Sequence, residues 1–139
     1  MRRGLGRGRW LIAGGAIVTI ASMPLAWLRV GGVVLSAETA SGFEGAGLLV
    51  FVACVAMLAL IVLPYTTRDR RTALDRPIAY VACWFLAVGG MVGVTARLLG
   101  TEGSSLTPGD APGLWLGITG MAVMTWGLLE LLAERPSPP

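Results

Sequence analysis

Histidine and lysine are both missing from this 139-residue chain, and acidic residues number only eight. Without histidine, the most common general base and metal-ligating side chain is gone. Without lysine, Schiff-base chemistry is gone too. Charged residues make up 14% of the chain, against about 25% in an ordinary soluble domain. That leaves too little polar surface to cover a water-soluble globule. Only two cysteines occur, Cys54 and Cys83, each inside an apolar run. Such placement is neither a disulfide framework nor a metal-site spacing. With no histidine, axial haem ligation would fall to Met or Cys, and no pattern supports it. The chain is therefore expected to be non-enzymatic and to carry no cofactor.

What is abundant is apolar sequence, at 55% of the residues. A membrane span needs about 20 mostly apolar residues, because a helix rises about 1.5 Å per residue through a hydrocarbon core of about 30 Å. Four segments are read as meeting this test: residues 10–28, 47–63, 78–99 and 114–133. Arg9 and Arg29 bound the first, Pro64 follows the second and Pro77 opens the third. Proline suits a first helical turn or the position just past a last one. A membrane barrel would show alternating segments of about 10 residues, whereas these runs are continuous and rich in Leu, Ala and Met. The expected fold class is an all-α polytopic membrane protein: one transmembrane domain over residues 1–139, built as a four-helix bundle. Residues 1–9 and 135–139 are expected to be flexible cytoplasmic tails.

All eleven basic residues are arginine, the habit of a GC-rich, bacterial coding sequence. They sit at the ends of apolar segments rather than in one patch, so nucleic acid is not an expected partner. Arg2, Arg3, Arg7 and Arg9 precede the first run, Arg68, Arg70, Arg71 and Arg76 separate the second and third, and Arg135 follows the fourth. Only Arg29 and Arg97 fall on the opposite side. By the positive-inside rule both chain ends and the middle loop are cytoplasmic, which places the chain in the cell membrane as a multi-pass protein. A cleaved signal peptide is the competing reading of the N-terminus. The first run of 19 residues exceeds an h-region of about 7–15, and Met23-Pro24-Leu25-Ala26-Trp27 is a poor cleavage site.

Between spans, Val33-Val34-Leu35 in the loop 29–46 favours a short strand. The loop 100–113 is polar and turn-rich, and the tail Pro136-Ser137-Pro138-Pro139 suggests disorder. Each half of the chain runs from an apolar span to an arginine (Arg29, Arg97), then through a glycine-rich loop to a Gly-Leu return (Gly47-Leu48, Gly113-Leu114). This raises the possibility of two parallel helix-hairpin repeats, with coincidence among low-complexity segments as the alternative. Leu25-Ala26-Trp27-Leu28-Arg29-Val30, Ser41-Gly42-Phe43-Glu44-Gly45-Ala46-Gly47 and Pro112-Gly113-Leu114-Trp115-Leu116 resemble stretches of small bacterial four-helix membrane proteins of unknown function, including ones encoded near tryptophan-biosynthesis genes. The resemblance implies the four-helix topology over nearly the whole chain. It implies no catalytic residue.

Small residues stand out in the spans. Gly89 and Gly93, and Gly113 and Gly117, have G-x-x-x-G spacing, which lets helix backbones approach closely in lipid. They are expected to form packing faces, either within the bundle or against a membrane partner or a second copy. Arg97, two residues before the end of its span, is expected to snorkel to the headgroups or to pair with Glu44 or Glu102. Arg97 and Glu44 thus form the candidate polar outer site. Glu130 and Glu134 are expected to pair with the arginines of the middle loop. Trp10, Trp27, Tyr65, Tyr80 and Trp115 read as interfacial anchors, and Trp84 and Trp126 as residues packed in the bundle. Cys54 and Cys83 differ in expected depth by roughly 8 Å, too far for a disulfide. The expected function is that of a non-catalytic accessory, assembly or scaffold subunit of a membrane complex. A small oligomeric transporter or channel is the alternative, although no span carries a central carboxylate for proton coupling.

Overall fold

In the computed structural model, residues 6–30, 38–66, 77–100, 104–105 and 107–133 are described. They form four helices and a small sheet: α1 (Arg7–Ser22), β1 (Ala26–Val30), β2 (Glu38–Ser41), α2 (Gly47–Thr66), α3 (Pro77–Leu99), β3 (Ser104–Ser105) and α4 (Pro112–Ala133). α3 and α4 are long and apolar enough to cross a membrane. The segments 78–99 and 114–133 expected from the sequence fall inside these two helices.

The first apolar run departs from its expected shape. α1 ends at Ser22, and residues 26–30 of the anticipated span form a strand. Pro24 is the reason. It has no N–H to continue the ladder, and its ring clashes with the carbonyl four residues back. The last turn tightens instead: the Met23 N–H donates to the Ile20 carbonyl at 3.1 Å, and the Leu25 N–H to the Ser22 carbonyl at 3.1 Å. Beyond the break, β1 forms the centre of a three-stranded sheet of order β2-β1-β3. Both pairings are antiparallel, and all three strands lie at one end of the bundle. β3 draws two residues of the polar second loop into regular structure. The expected strand at Val33-Val34-Leu35 lies outside the described residues.

α2 also differs from expectation, running through Pro64 to Thr66 rather than stopping at Leu63. Pro64 cannot donate to the carbonyl of Leu60. That carbonyl is supplied from the neighbouring helix, where the Tyr80 hydroxyl donates to it at 3.1 Å. Tyr80 is consequently buried at 1% exposure, so it is a packing residue rather than an interfacial anchor.

Adjacent helices run antiparallel, and the closest seam joins α1 to α4. A Cβ placed on Gly15 would lie 2.6 Å from the Gly120 carbonyl oxygen and the Met124 nitrogen; one on Gly127 would lie 2.7 Å from the Gly8 carbonyl oxygen. The seam therefore runs backbone against backbone from one end of α1 to the other. α2 and α3 form the second seam, where Gly90 meets Val50 and Leu49, and Gly93 meets Ala46. These two seams are the pair that a two-fold repeat would exchange. The arginines used to align the halves do not correspond, however: Arg29 is on a strand and Arg97 on a helix. Ile12, Ala16, Val50, Ala53, Met57 and Met124, all fully buried, fill the centre between the helices.

The seam yields a paired test. Gly15→Ala should cost about 1–3 kcal/mol through overpacking, read as a lowered unfolding midpoint in detergent. Gly14→Ala, next along the chain but facing open space, should shift stability by no more than about 0.5 kcal/mol. Equal midpoints for the two variants would contradict the α1–α4 contact.

Candidate functional site

At the sheet end of the bundle, Trp27 organises the surroundings of a cavity. The β1–β2 register shifts between Ala26 and Leu28, so Trp27 is the extra residue of a β-bulge, a feature that re-aims a side chain. Here it turns the indole inward, to 2% exposure. The Trp27 Nε1–H donates to the Ser22 carbonyl at 2.8 Å, a second bond to an acceptor at the end of α1 that the Leu25 N–H also reaches. The ring fills space left by three glycines. A Cβ on Gly42 would stand 2.7 Å from it, one on Gly113 2.5 Å and one on Gly117 3.2 Å. Trp27 is thus a core residue and not the interfacial anchor expected from its position.

The cavity lies between this indole, the β2–α2 turn and the last turn of α3. It measures about 200 Å³, and Trp27, Leu28, Glu44, Val94, Arg97 and Leu98 contribute to its wall. The turn is fixed locally. Gly42 N–H donates to the Met23 carbonyl at 2.9 Å, and Ser41 N–H donates to Glu44 Oε1 at 3.3 Å. Gly45 adopts φ +57°, a left-handed conformation that glycine takes at little cost. A Cβ there would also come within 2.9 Å of Arg97 Nη1, so the absent side chain leaves room for the guanidinium. Arg97 reaches this turn from the last turn of α3, where the negative end of the helix dipole favours a cation. The fold therefore brings Arg97 and Glu44 to one cavity, although 53 positions separate them in the sequence.

No family model matches the chain, and neither a curated protein nor a solved structure shows significant similarity to it.

Other residues singled out from the sequence are distributed as follows. Gly113 and Gly117 face Trp27 and Ser22, and Gly93 faces Ala46, all within the chain. Gly89 meets nothing within 4 Å, so the close contact expected of it is made by its neighbour Gly90. Arg29 pairs with Asp110 at 3.5 Å, and the Thr107 hydroxyl donates to the other oxygen of the same carboxylate at 2.7 Å. Glu102, Glu134 and the middle-loop arginines lie outside the described residues. Glu130 accepts from Trp126 Nε1–H at 3.0 Å and stands 3.8 Å from Arg7. Trp126 is exposed rather than packed in the bundle, whereas Trp84 is half-buried with its indole N–H donated to Thr125 Oγ1 at 2.9 Å. Cys54 and Cys83 are free thiols.

Trp27, expected at the interface but buried, did carry a signal. Pro24 before it and the glycines at 42, 113 and 117 together mark a large ring among small neighbours. Trp27→Ala should cost about 3–5 kcal/mol. Trp27→Phe, which keeps a ring but loses the bond to Ser22, should cost less than that. Chemical or thermal unfolding in detergent distinguishes them, and equal losses would assign the stabilisation to the hydrogen bond instead of the buried ring.

Proposed function

We propose that the chain is a four-span membrane protein of the cell membrane, with both ends cytoplasmic, acting as a non-catalytic accessory or scaffold subunit. Support for the membrane placement begins with α3 and α4. Only 28% and 33% of their most apolar stretches are buried inside the protein, so their outward faces are apolar yet uncovered. Phe85 in mid-α3 and Trp126 in α4 are 64% and 63% exposed. α2 adds exposed Val52, Val55 and Val62, and α1 adds Ile17. An apolar surface this continuous is foreign to a water-soluble monomer and suits lipid.

The α1–α4 seam extends the argument to α1. At 16 residues, α1 is about 24 Å long, short for a span of its own. It lies against α4 from Gly8 beside Gly127 to Ser22 beside Gly113, so the two helices share the same depth. Mismatch of this size is accommodated by local thinning or by flanking residues.

The accessory reading rests on how the hydroxyl groups of the spans are used. Thr19 donates to Gly15, Thr95 to Met91, Thr119 to Trp115 and Thr125 to Met121, each to the carbonyl four residues back in its own helix. Ser22 donates to the Thr19 carbonyl. The hydroxyl protons are committed to their own helices, with Thr125 also accepting from Trp84 of α3, while methionine and aliphatic side chains fill the centre. That arrangement supports a packed scaffold over a hydrated transport path. The exposed faces of α2 and α3, rather than the glycine seams, then remain for lipid or a partner.

Extraction into native nanodiscs followed by mass spectrometry should recover a stoichiometric second membrane protein. Recovery of the chain alone, together with solute flux in proteoliposomes, would overturn the accessory reading. Cys54 is fully buried, and Cys83 lies in the second turn of α3, toward the end proposed as cytoplasmic. A membrane-impermeant maleimide applied to intact cells should therefore label neither, and labelling of Cys54 would reveal a water-filled path from outside.

A further inference from the structure

We infer that the cavity at the sheet end binds a zwitterionic group, an oxyanion held by Arg97 and an ammonium held by Glu44, and that its occupant is the headgroup of an ethanolamine phospholipid. The inference rests on the membrane placement proposed above.

Three features of the cavity carry it. The first is charge. Arg97 and Glu44, from distant parts of the chain, both line the cavity. Arg offers several N–H donors in a planar fork suited to phosphate oxygens. Its Nη1 lies at Gly45, so the head of this exposed side chain stands at the turn. Glu44 has one oxygen turned to the Ser41 N–H at 3.3 Å. A carboxylate has about four acceptor positions, so capacity remains for an ammonium. A ligand with a single negative charge would be drawn to Arg97 and meet repulsion from Glu44; a zwitterion matches both.

The second is depth. Arg97 is in the last turn of α3, and exposed Phe43 and Trp115 lie at the same end of the bundle. Aromatic residues of this kind mark the headgroup level of a bilayer. The third is shape. The floor is apolar, formed by Trp27, Leu28, Val94 and Leu98, and Leu48, Leu49 and Leu99 near its lining residues in the chain are exposed. A volume of about 200 Å³ corresponds to several water molecules at about 30 Å³ each, enough for a small headgroup but not for a whole lipid. The acyl chains would continue along the exposed leucines.

The proposal thus separates lipids that differ only in their headgroups. Phosphatidylglycerol offers the phosphate without an ammonium. Phosphatidylcholine carries a quaternary ammonium that has no N–H to donate to Glu44.

The test uses the full chain in nanodiscs of equimolar phosphatidylethanolamine, phosphatidylglycerol and phosphatidylcholine, followed by native mass spectrometry of the lipids retained on release. One phosphatidylethanolamine should be retained, about tenfold over either competitor. Arg97→Ala should abolish the retention, and Glu44→Gln, which preserves shape and the acceptor for Ser41, should remove the preference over phosphatidylglycerol. A second arm adds soluble phosphoethanolamine. Persistence of the lipid supports the headgroup as the source, whereas its displacement keeps the zwitterion chemistry but overturns the lipid as occupant. Equal retention of the three lipids, or wild-type selectivity in Glu44→Gln, would overturn the site. Failure of the chain to enter nanodiscs at all would instead overturn its membrane placement.

Discussion

The indole of Trp27 ties together the end of α1, the sheet and the start of α4. Its N–H shares the Ser22 carbonyl with the Leu25 N–H where Pro24 stops the helix, and its ring occupies the room provided by Gly42, Gly113 and Gly117. Each part depends on the others. Without the break after Ser22 the chain would not turn into β1. Without the bulge the ring would not face inward, and without the glycines it could not lie so close to α4 and the β2–α2 turn. The cavity inherits its position from this arrangement, because Trp27 is part of its lining.

A second constraint acts throughout the helices. In an apolar medium a polar group without a partner costs several kcal/mol, and this chain meets that demand locally. Threonines along α1, α3 and α4 return their hydroxyls to the preceding turn. Where Pro64 removes a donor, Tyr80 from α3 supplies one. Among the described residues no buried side-chain nitrogen or oxygen is left without a partner. The consequence is a bundle interior with its polar groups already engaged, and charge confined to the two ends. At one end stand Arg7 and Glu130. At the other stand Arg29 with Asp110, and Arg97 with Glu44 around the cavity.

That separation shapes the functional reading. A packed apolar centre supports the proposed structural role within a bilayer, while the cavity at the sheet end is the place proposed for chemically specific recognition. Scaffolding and headgroup recognition are compatible, since a lipid held at the rim of a bundle can serve as part of its surface toward a partner.

Much of the helical framework was legible in the sequence. Continuous apolar runs bounded by arginine and proline located α3 and α4, because helix length and hydropathy are properties of the segment itself. Pro24 announced the early end of α1, yet the residues after it are as apolar as those before, so hydropathy alone extended the span to Leu28. Only tertiary structure decided that β1 pairs on both sides, since pairing needs partners from two other loops. It also decided which glycines matter: Gly89 and Gly93 have the spacing of a packing motif, but the helix turns Gly89 outward and Gly90 inward. Arg97 and Glu44 were each visible as polar residues near span ends. That they share a cavity follows from α3 packing against the turn that leads into α2, a long-range contact that no local pattern encodes.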